Sequence, residues 1–240
     1  MTEDFLRAST NEFHLGINVG HDRSAAIASG GRILVAIEEE RLDRQKHSPG
    51  LTKTPNGVSL ELPFLAIQHC LDALDIGPSK LASVTANTPG VDVGPRLAEA
   101  SFQGVPILQV PSHHLAHAYS AWSPSGLDEA IVLVVDATGS TSTEGLTESY
   151  SVYRGSSAGL ELVHAERVAA ELAGMGTLGM LYEEVTRRIG FITRMDGGLS
   201  HAEAGKTMGL APYGGASKVF ERWIQAKPGD FSLELSLIHI

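Results

Sequence analysis

Short apolar runs broken by glycine-centred turns recur twice along this 240-residue chain, and that recurrence confines it to a mixed α/β architecture. Residues 15–19 read as a first strand, broken by Gly20-His21-Asp22-Arg23. Residues 24–28 and 32–38 read as two more, and Gly30-Gly31 between them is a hairpin signal because both glycines tolerate positive φ. Residues 62–74 carry helical spacing that Gly77-Pro78 stops, and residues 81–86 and 106–110 are short strands. After residue 130 the pattern repeats: strands at 132–135, 149–153 and 160–163, then a helix over 178–189. The polar stretch 39–56, with Pro49-Gly50 and Pro55, reads as a mobile loop, and Glu38-Glu39-Glu40 as a solvated charge run. Residues 231–240 alternate apolar and polar like a strand in progress. They lead us to expect a fragment whose open edge promotes association.

The chemistry is concentrated in two histidines four residues apart and an aspartate nineteen residues later. Pro111-Ser112 is a good helix start, so the segment through Trp122 reads as a helix with His113 and His117 on one face. His114 lies about 100° round that helix, where it packs or hydrogen-bonds instead. Residues 130–135 form a run expected to be a buried strand, and Asp136 opens the turn that leaves it. Two neutral imidazoles and one carboxylate suit a divalent metal and leave positions for a substrate oxygen.

Composition excludes several classes. Eighteen basic against 28 acidic residues give a net charge of −10, which argues against nucleic-acid binding and against an anionic membrane surface. No run approaches the roughly 20 apolar residues of a membrane span, and the first eleven residues lack the apolar stretch of a secretory signal. Cys70 is the sole cysteine, so no internal disulfide forms and a reducing, cytoplasmic setting is expected.

Six stretches in order resemble the nodulation-protein-U and cephamycin O-carbamoyltransferase family. They are Gly20-His21-Asp22-Arg23-Ser24-Ala25-Ala26; Glu38-Glu39-Glu40-Arg41-Leu42 with Lys46-His47; His113-His114-Leu115-Ala116-His117-Ala118; Val135-Asp136-Ala137-Thr138-Gly139; Gly179-Met180-Leu181-Tyr182-Glu183 with Thr186 and Gly190-Phe191; and residues 205–214, from Gly205-Lys206-Thr207 to Pro212-Tyr213-Gly214. The resemblance implies an actin-like ATPase fold made of two ribonuclease-H-like units. On that layout residues 1–12 are a tail, 13–129 a first unit and 130–240 an incomplete second. It implies a one-carbon-group transferase that moves a carbamoyl group from carbamoyl adenylate to a hydroxyl of a natural product or saccharide. Carbamoyl phosphate and ATP are the co-substrates that make the adenylate on a C-terminal domain beyond residue 240, and antibiotic biosynthesis is a typical setting. His113, His117 and Asp136 match the metal ligands, with Fe2+ expected and Zn2+ or Mn2+ as alternatives. His21 matches a residue beside the carbamoyl group, and Lys46 one that lines the acceptor or intermediate pocket. The expected partners are a small-molecule hydroxyl acceptor and the adenylate-forming domain; a homodimer is compatible.

The residue types suit this chemistry, each beside a plainer reading. His21 in a glycine-flanked turn has the basicity and access of a proton acceptor, or it merely tolerates the turn. Ala137, Thr138 and Gly139 offer backbone N–H groups to a phosphate, or form an ordinary strand exit. Gly205 and Lys206 contact nucleotide or form a simple turn, and Lys46 is a ligand of the acceptor or a solvated lysine. The rival functions are a phosphotransferase of the same superfamily and a non-catalytic nucleotide-binding remnant.

Overall fold

The computed structural model describes residues 12–54, 57–88, 92–99, 102–169, 177–194 and 200–215. The chain divides into two compact units, Met1–His113 and His114–Ile240. This division assigns the histidine helix, apart from its first residue, to the second unit, whereas a boundary after residue 129 was expected. The expected strand at 231–240 and most of the expected tail lie outside the described residues.

The first unit is built on strands β1 (Phe13–Asn18), β2 (Ser24–Ser29), β3 (Arg32–Glu38), β6 (Leu81–Asn87) and β7 (Ile107–Gln109) in the order β3-β2-β1-β6-β7. The first three are antiparallel and the last two run parallel to β1, the ribonuclease-H-like order. Gly30 and Gly31 take φ of 55° and 73°, as a two-residue hairpin with native twist requires. Leu15, Ile17, Ala25, Ile27, Val84 and Ala86 line the core face of the sheet. Helix α2 (Phe64–Ala73) covers it with Ala66, Ile67, Cys70 and Leu71. Burial pushes the Cys70 thiol pKa up, which leaves it an inert core residue. Helix α3 (Gly94–Glu99) adds Leu97 to the same core.

Two readings of this unit are corrected. Segment 39–56 holds a short helix, α1 (Glu40–Asp43), and strand β4 (Leu51–Thr54), which pairs with β5 (Gly57–Leu60). The Glu38-Glu39-Glu40 run is not uniformly solvated. Glu39 is buried, and its carboxylate accepts the Leu65 and Ala66 N–H groups at 3.2 and 2.7 Å. It caps α2 from a distance, because Pro63 at the N-cap has no side-chain acceptor and an anion there complements the helix dipole.

The second unit holds α4 (His113–Trp122), apart from its first residue, and an antiparallel sheet β10-β9-β8. Its strands are β8 (Ala130–Val135), β9 (Leu146–Ser156) and β10 (Gly159–Ala169). The latter two, at eleven residues each, are longer than the sequence pattern indicated. This meander repeats the opening of the first unit. Strand β8 is not buried on both faces: Val132 and Val134 face the core while Ile131, Leu133 and Val135 are exposed. Its apolar run reflects one core face and one open face.

Helix α5 (Leu178–Ile189) has the predicted bounds because both ends are capped by local chemistry. Thr177 Oγ1 accepts the Met180 N–H, and Gly190 takes the left-handed φ of 90°. Strands β11 (Ile192–Arg194) and β12 (Ser200–Ala202) and helix α6 (Ala204–Leu210) follow. No described helix is long and apolar enough to cross a membrane.

Candidate metal centre

Helix α4 owes its orientation to its apolar and small positions. His114 and Ala118, four apart, are buried; His114 Nδ1 and Ser151 Oγ on β9 are hydrogen-bonded at 2.8 Å. One turn further on, the Trp122 ring lies against Gly155, where a Cβ would meet its atoms at 2.7 Å. With that stripe turned inward, His113 and His117 present a neighbouring face, as the 3.6-residue period demands. His114 is therefore a packing residue.

Strand β8 ends at Val135 and delivers Asp136 beside that face. One ligand atom from each of His113, His117 and Asp136 lies within 4.8 Å of the others. Asp136 Oδ1 is held by the Ala137 N–H at 2.7 Å, while Oδ2 stands 3.7 Å from His117 Nε2. That spacing exceeds a hydrogen bond. Two ligands of one ion, each at about 2.1 Å, stand at most about 4.2 Å apart, so the pair fits a shared cation. His117 is 49% exposed and Asp136 31%, so solvent or substrate reaches them. A cleft of about 270 Å³ adjoins them, lined by Ser120, Ala121 and residues 132–135.

The turn after Asp136 is clamped on three sides. Thr177 Oγ1 donates to the Ala137 carbonyl at 2.6 Å, and a Cβ on Gly179 would run into the Asp136–Ala137 peptide. Buried Glu148 receives the Ser140 N–H on its side chain and the Gly139 N–H on its carbonyl. Gly139 packs so closely that a Cβ there would meet His114 Nε2 at 2.6 Å. The N–H groups of Ala137 and Gly139 thus turn inward to the protein, and among the described residues none engages the Thr138 N–H. Gly205 and Lys206 are exposed in the first turn of α6, with the Lys206 N–H on the Glu203 carbonyl.

In the first unit, His21 and Lys46 are carried by two segments that are knitted together. Asp22 N–H donates to the His47 carbonyl at 2.6 Å, and Gly50 N–H to that of Gly20 at 2.8 Å. Buried Arg23 donates to the carbonyls of Ser48 and Leu62 at 3.0 Å each and to Ser48 Oγ at 2.8 Å. Its Nη2 also pairs with Asp43 at 3.3 Å. These bonds hold Arg44, His47 and Ser48 at positive φ, backbone that non-glycine residues adopt only when surrounding contacts impose it. Lys46 is exposed on this loop.

Asp22 and His47 join this site although their motifs alone suggest no role for them. Asp22 Oδ2 is 2.5 Å from His21 Nδ1, and Asp22 Oδ1 is 2.8 Å from His47 Nδ1. The histidine contacts, that to His21 first, outweigh partial burial and lower the Asp22 pKa from 3.8 to about 2. The signal available in the sequence was the His-Asp pair within a turn. Asp22, Glu40 and His47 also bring ligand atoms together, and hydrogen bonds account for the grouping: Glu40 accepts the His47 N–H at 3.0 Å.

Comparison with known proteins follows the same lines. The chain is 27% identical over 220 residues to nodulation protein NolNO of Sinorhizobium fredii (strain NBRC 101917 / NGR234), covering 81% of this chain and 28% of that one. It is 30% identical over 223 residues to the uncharacterized protein sll1178 of Synechocystis sp. (strain ATCC 27184 / PCC 6803 / Kazusa), covering 81% and 33%. The chain therefore spans about a third or less of the length of these relatives. Among solved structures it is similar to full-length HypF in the phosphate- and nucleotide-bound form, at 16% identity and a TM-score of 0.41 over 68% of this chain and 19% of that one. YeaZ from Pseudomonas aeruginosa gives 15% identity and a TM-score of 0.38 over 66% and 68%. Residues 96–229, more than half the chain and inclusive of both histidines and Asp136, match the family described as carbamoyltransferase N-terminus, and the chain belongs to that family.

Proposed function

We propose that this chain is the transfer portion of an O-carbamoyltransferase, acting on carbamoyl adenylate made elsewhere from carbamoyl phosphate and ATP. The observation that carries this reading is the convergence of His113, His117 and Asp136 in a member of the carbamoyltransferase N-terminus family. Two imidazole nitrogens and one carboxylate oxygen form a donor set for Fe2+, Zn2+ or Mn2+. When bound, such a cation supplies Lewis acidity worth several kcal/mol to the developing charge on the carbamoyl oxygen. The protein's own part is to orient and to move a proton. Asp136, with one oxygen locked by the Ala137 N–H, presents the other in a fixed direction. The clamp from Thr177, Gly179 and Glu148 keeps that direction constant. His21, 67% exposed, accepts the proton of the attacking hydroxyl, while Lys46 binds the acceptor. The hydroxyl oxygen bonds to the carbamoyl carbon, the C–O bond of the mixed carbamic–phosphoric anhydride breaks, AMP leaves, and the product is the carbamate ester.

The partners on this reading are a small-molecule hydroxyl compound and an adenylate-forming domain in the same or another chain. The test supplies preformed carbamoyl adenylate with Fe2+ and reads AMP release, with water as the default acceptor and an aminoglycoside or an oligosaccharide as alternatives. Expected is AMP release that depends on His117. Phosphorylated acceptor in place of carbamoylated acceptor, or undiminished turnover by His117→Ala, would contradict the proposal.

A further inference from the structure

We propose that Asp22 is a positioning residue that sets the ring tautomer of His21 and joins the turn carrying it to the loop carrying Lys46 and His47. The inference rests on the reading of His21 as the proton acceptor. Geometry supports it first. Each oxygen of one carboxylate faces the Nδ1 of a different histidine, at 2.5 Å for His21 and 2.8 Å for His47. An ionised carboxylate only accepts, so both Nδ1 atoms carry hydrogen. In a neutral imidazole with hydrogen on Nδ1, Nε2 holds the lone pair, and that is the atom able to take a proton from a hydroxyl.

The backbone is shaped for the same end. Asp22 adopts φ of 56°, a left-handed conformation that aspartate and asparagine tolerate better than most residues. Asn18 Nδ2 holds it there through the carbonyls of His21 and Asp22, at 2.9 and 3.0 Å. From the facing loop, the His47 carbonyl takes the Asp22 N–H, and Glu40 fixes His47 through its N–H. Glu40 is in turn 3.5 Å from Arg41. The adjacent Arg23 guanidinium points to Asp43 and Ser48, so the two rings are the cationic or potentially cationic groups in direct contact with Asp22. A carboxylate pKa of about 2 keeps this acceptor ionised throughout the working pH range.

The test is two-bond 1H–15N correlation of the 15N-histidine-labelled chain at about pH 8.5, where imidazoles are neutral. We expect hydrogen on Nδ1 of both His21 and His47 in the wild type. Asp22→Asn keeps a residue that accepts the left-handed backbone but offers one acceptor oxygen and one donor NH2, so at least one ring must move its hydrogen to Nε2. His47→Gln leaves the Asp22–His21 pair in place, so His21 keeps hydrogen on Nδ1. Hydrogen on Nε2 of wild-type His21, unchanged tautomers in Asp22→Asn, or loss of the Nδ1–H form in His47→Gln would each overturn the proposal. AMP release from supplied carbamoyl adenylate is expected to fall about 10²-fold in Asp22→Asn at unchanged metal content, the low end for a group governing acid–base catalysis. A tautomer change with no loss of rate would sustain the positioning of His21 and instead remove His21 from the proposed transfer reaction.

Discussion

Asp22 and Asp136 each follow the first strand of a unit, and each meets two histidines, yet the meetings differ in kind. Both oxygens of Asp22 lie within hydrogen-bond distance of Nδ1 atoms, so the trio closes on itself. Asp136 commits one oxygen to its own backbone and holds the other 3.7 Å from His117 Nε2, a separation suited to two ligands of one cation. One aspartate and two histidines thus form a hydrogen-bonded trio in one case and, on the function proposed above, a metal donor set in the other. Spacing decides between them. His21 adjoins Asp22 in a turn, where the ring folds back on the carboxylate. His113 and His117 stand one helical turn apart and aim in parallel at a strand end. The supports differ as well: a buried cation, Arg23, organises the first site, and close glycine packing organises the second.

The largest loss of stability is expected at Arg23. Its side chain and that of Asp43 are nearly buried, and removing one partner of such a pair leaves the other charged and unsolvated. Arg23→Ala is expected to cost about 3–5 kcal/mol in urea denaturation and to raise amide exchange across residues 44–50. A cost below about 1 kcal/mol would mean that the loop holds its shape without the buried cation. The equivalent change in the second unit is Gly179→Ala. The added methyl meets the Asp136–Ala137 peptide, and overpacking of this type costs about 1–3 kcal/mol. It should also weaken metal binding by displacing Asp136, whereas Arg23→Ala should not. Equal metal affinity in Gly179→Ala and wild type would show that the clamp does not position the ligand.

The smallest expected effect is a pH dependence. The Asp22 pKa is lower folded than unfolded, about 2 against 3.8, so its stabilising contribution is fully present above the unfolded value and is lost as pH falls through the folded one. Wild type should therefore exceed Asp22→Asn in stability above about pH 4, with the gap closing towards pH 2. The carboxylate is partly exposed, which keeps the gap modest, and a gap constant across that window would contradict the bonding assigned to Asp22.

What was legible in the chain was what local chemistry controls. Helix α5 was bounded correctly because Thr177 and Gly190 are caps written into the sequence, and the Gly30-Gly31 hairpin because its φ angles demand glycine. The placement of His113 and His117 on one helix face followed from their spacing. The order of segment 39–56 was not legible, because it depends on Arg23, Asp43 and Ser48 meeting across as many as 25 positions. Nor did the charge run reveal that Glu39 would reach a helix start 26 residues away. The half-open face of β8 was hidden for a different reason: Ile131, Leu133 and Val135 are as apolar as the core residues between them, so alternation in burial had no counterpart in composition.

The central claim is that His113, His117 and Asp136 form the metal centre while Asp22, with the same kinds of neighbours, does not. Metal content after loading with Fe2+ and gel filtration, measured in parallel on wild type, His117→Ala and Asp22→Asn, tests it most directly. The account predicts about one ion per chain in wild type and in Asp22→Asn, and almost none in His117→Ala. Equal metal in wild type and His117→Ala, or loss of the ion in Asp22→Asn alone, would contradict it.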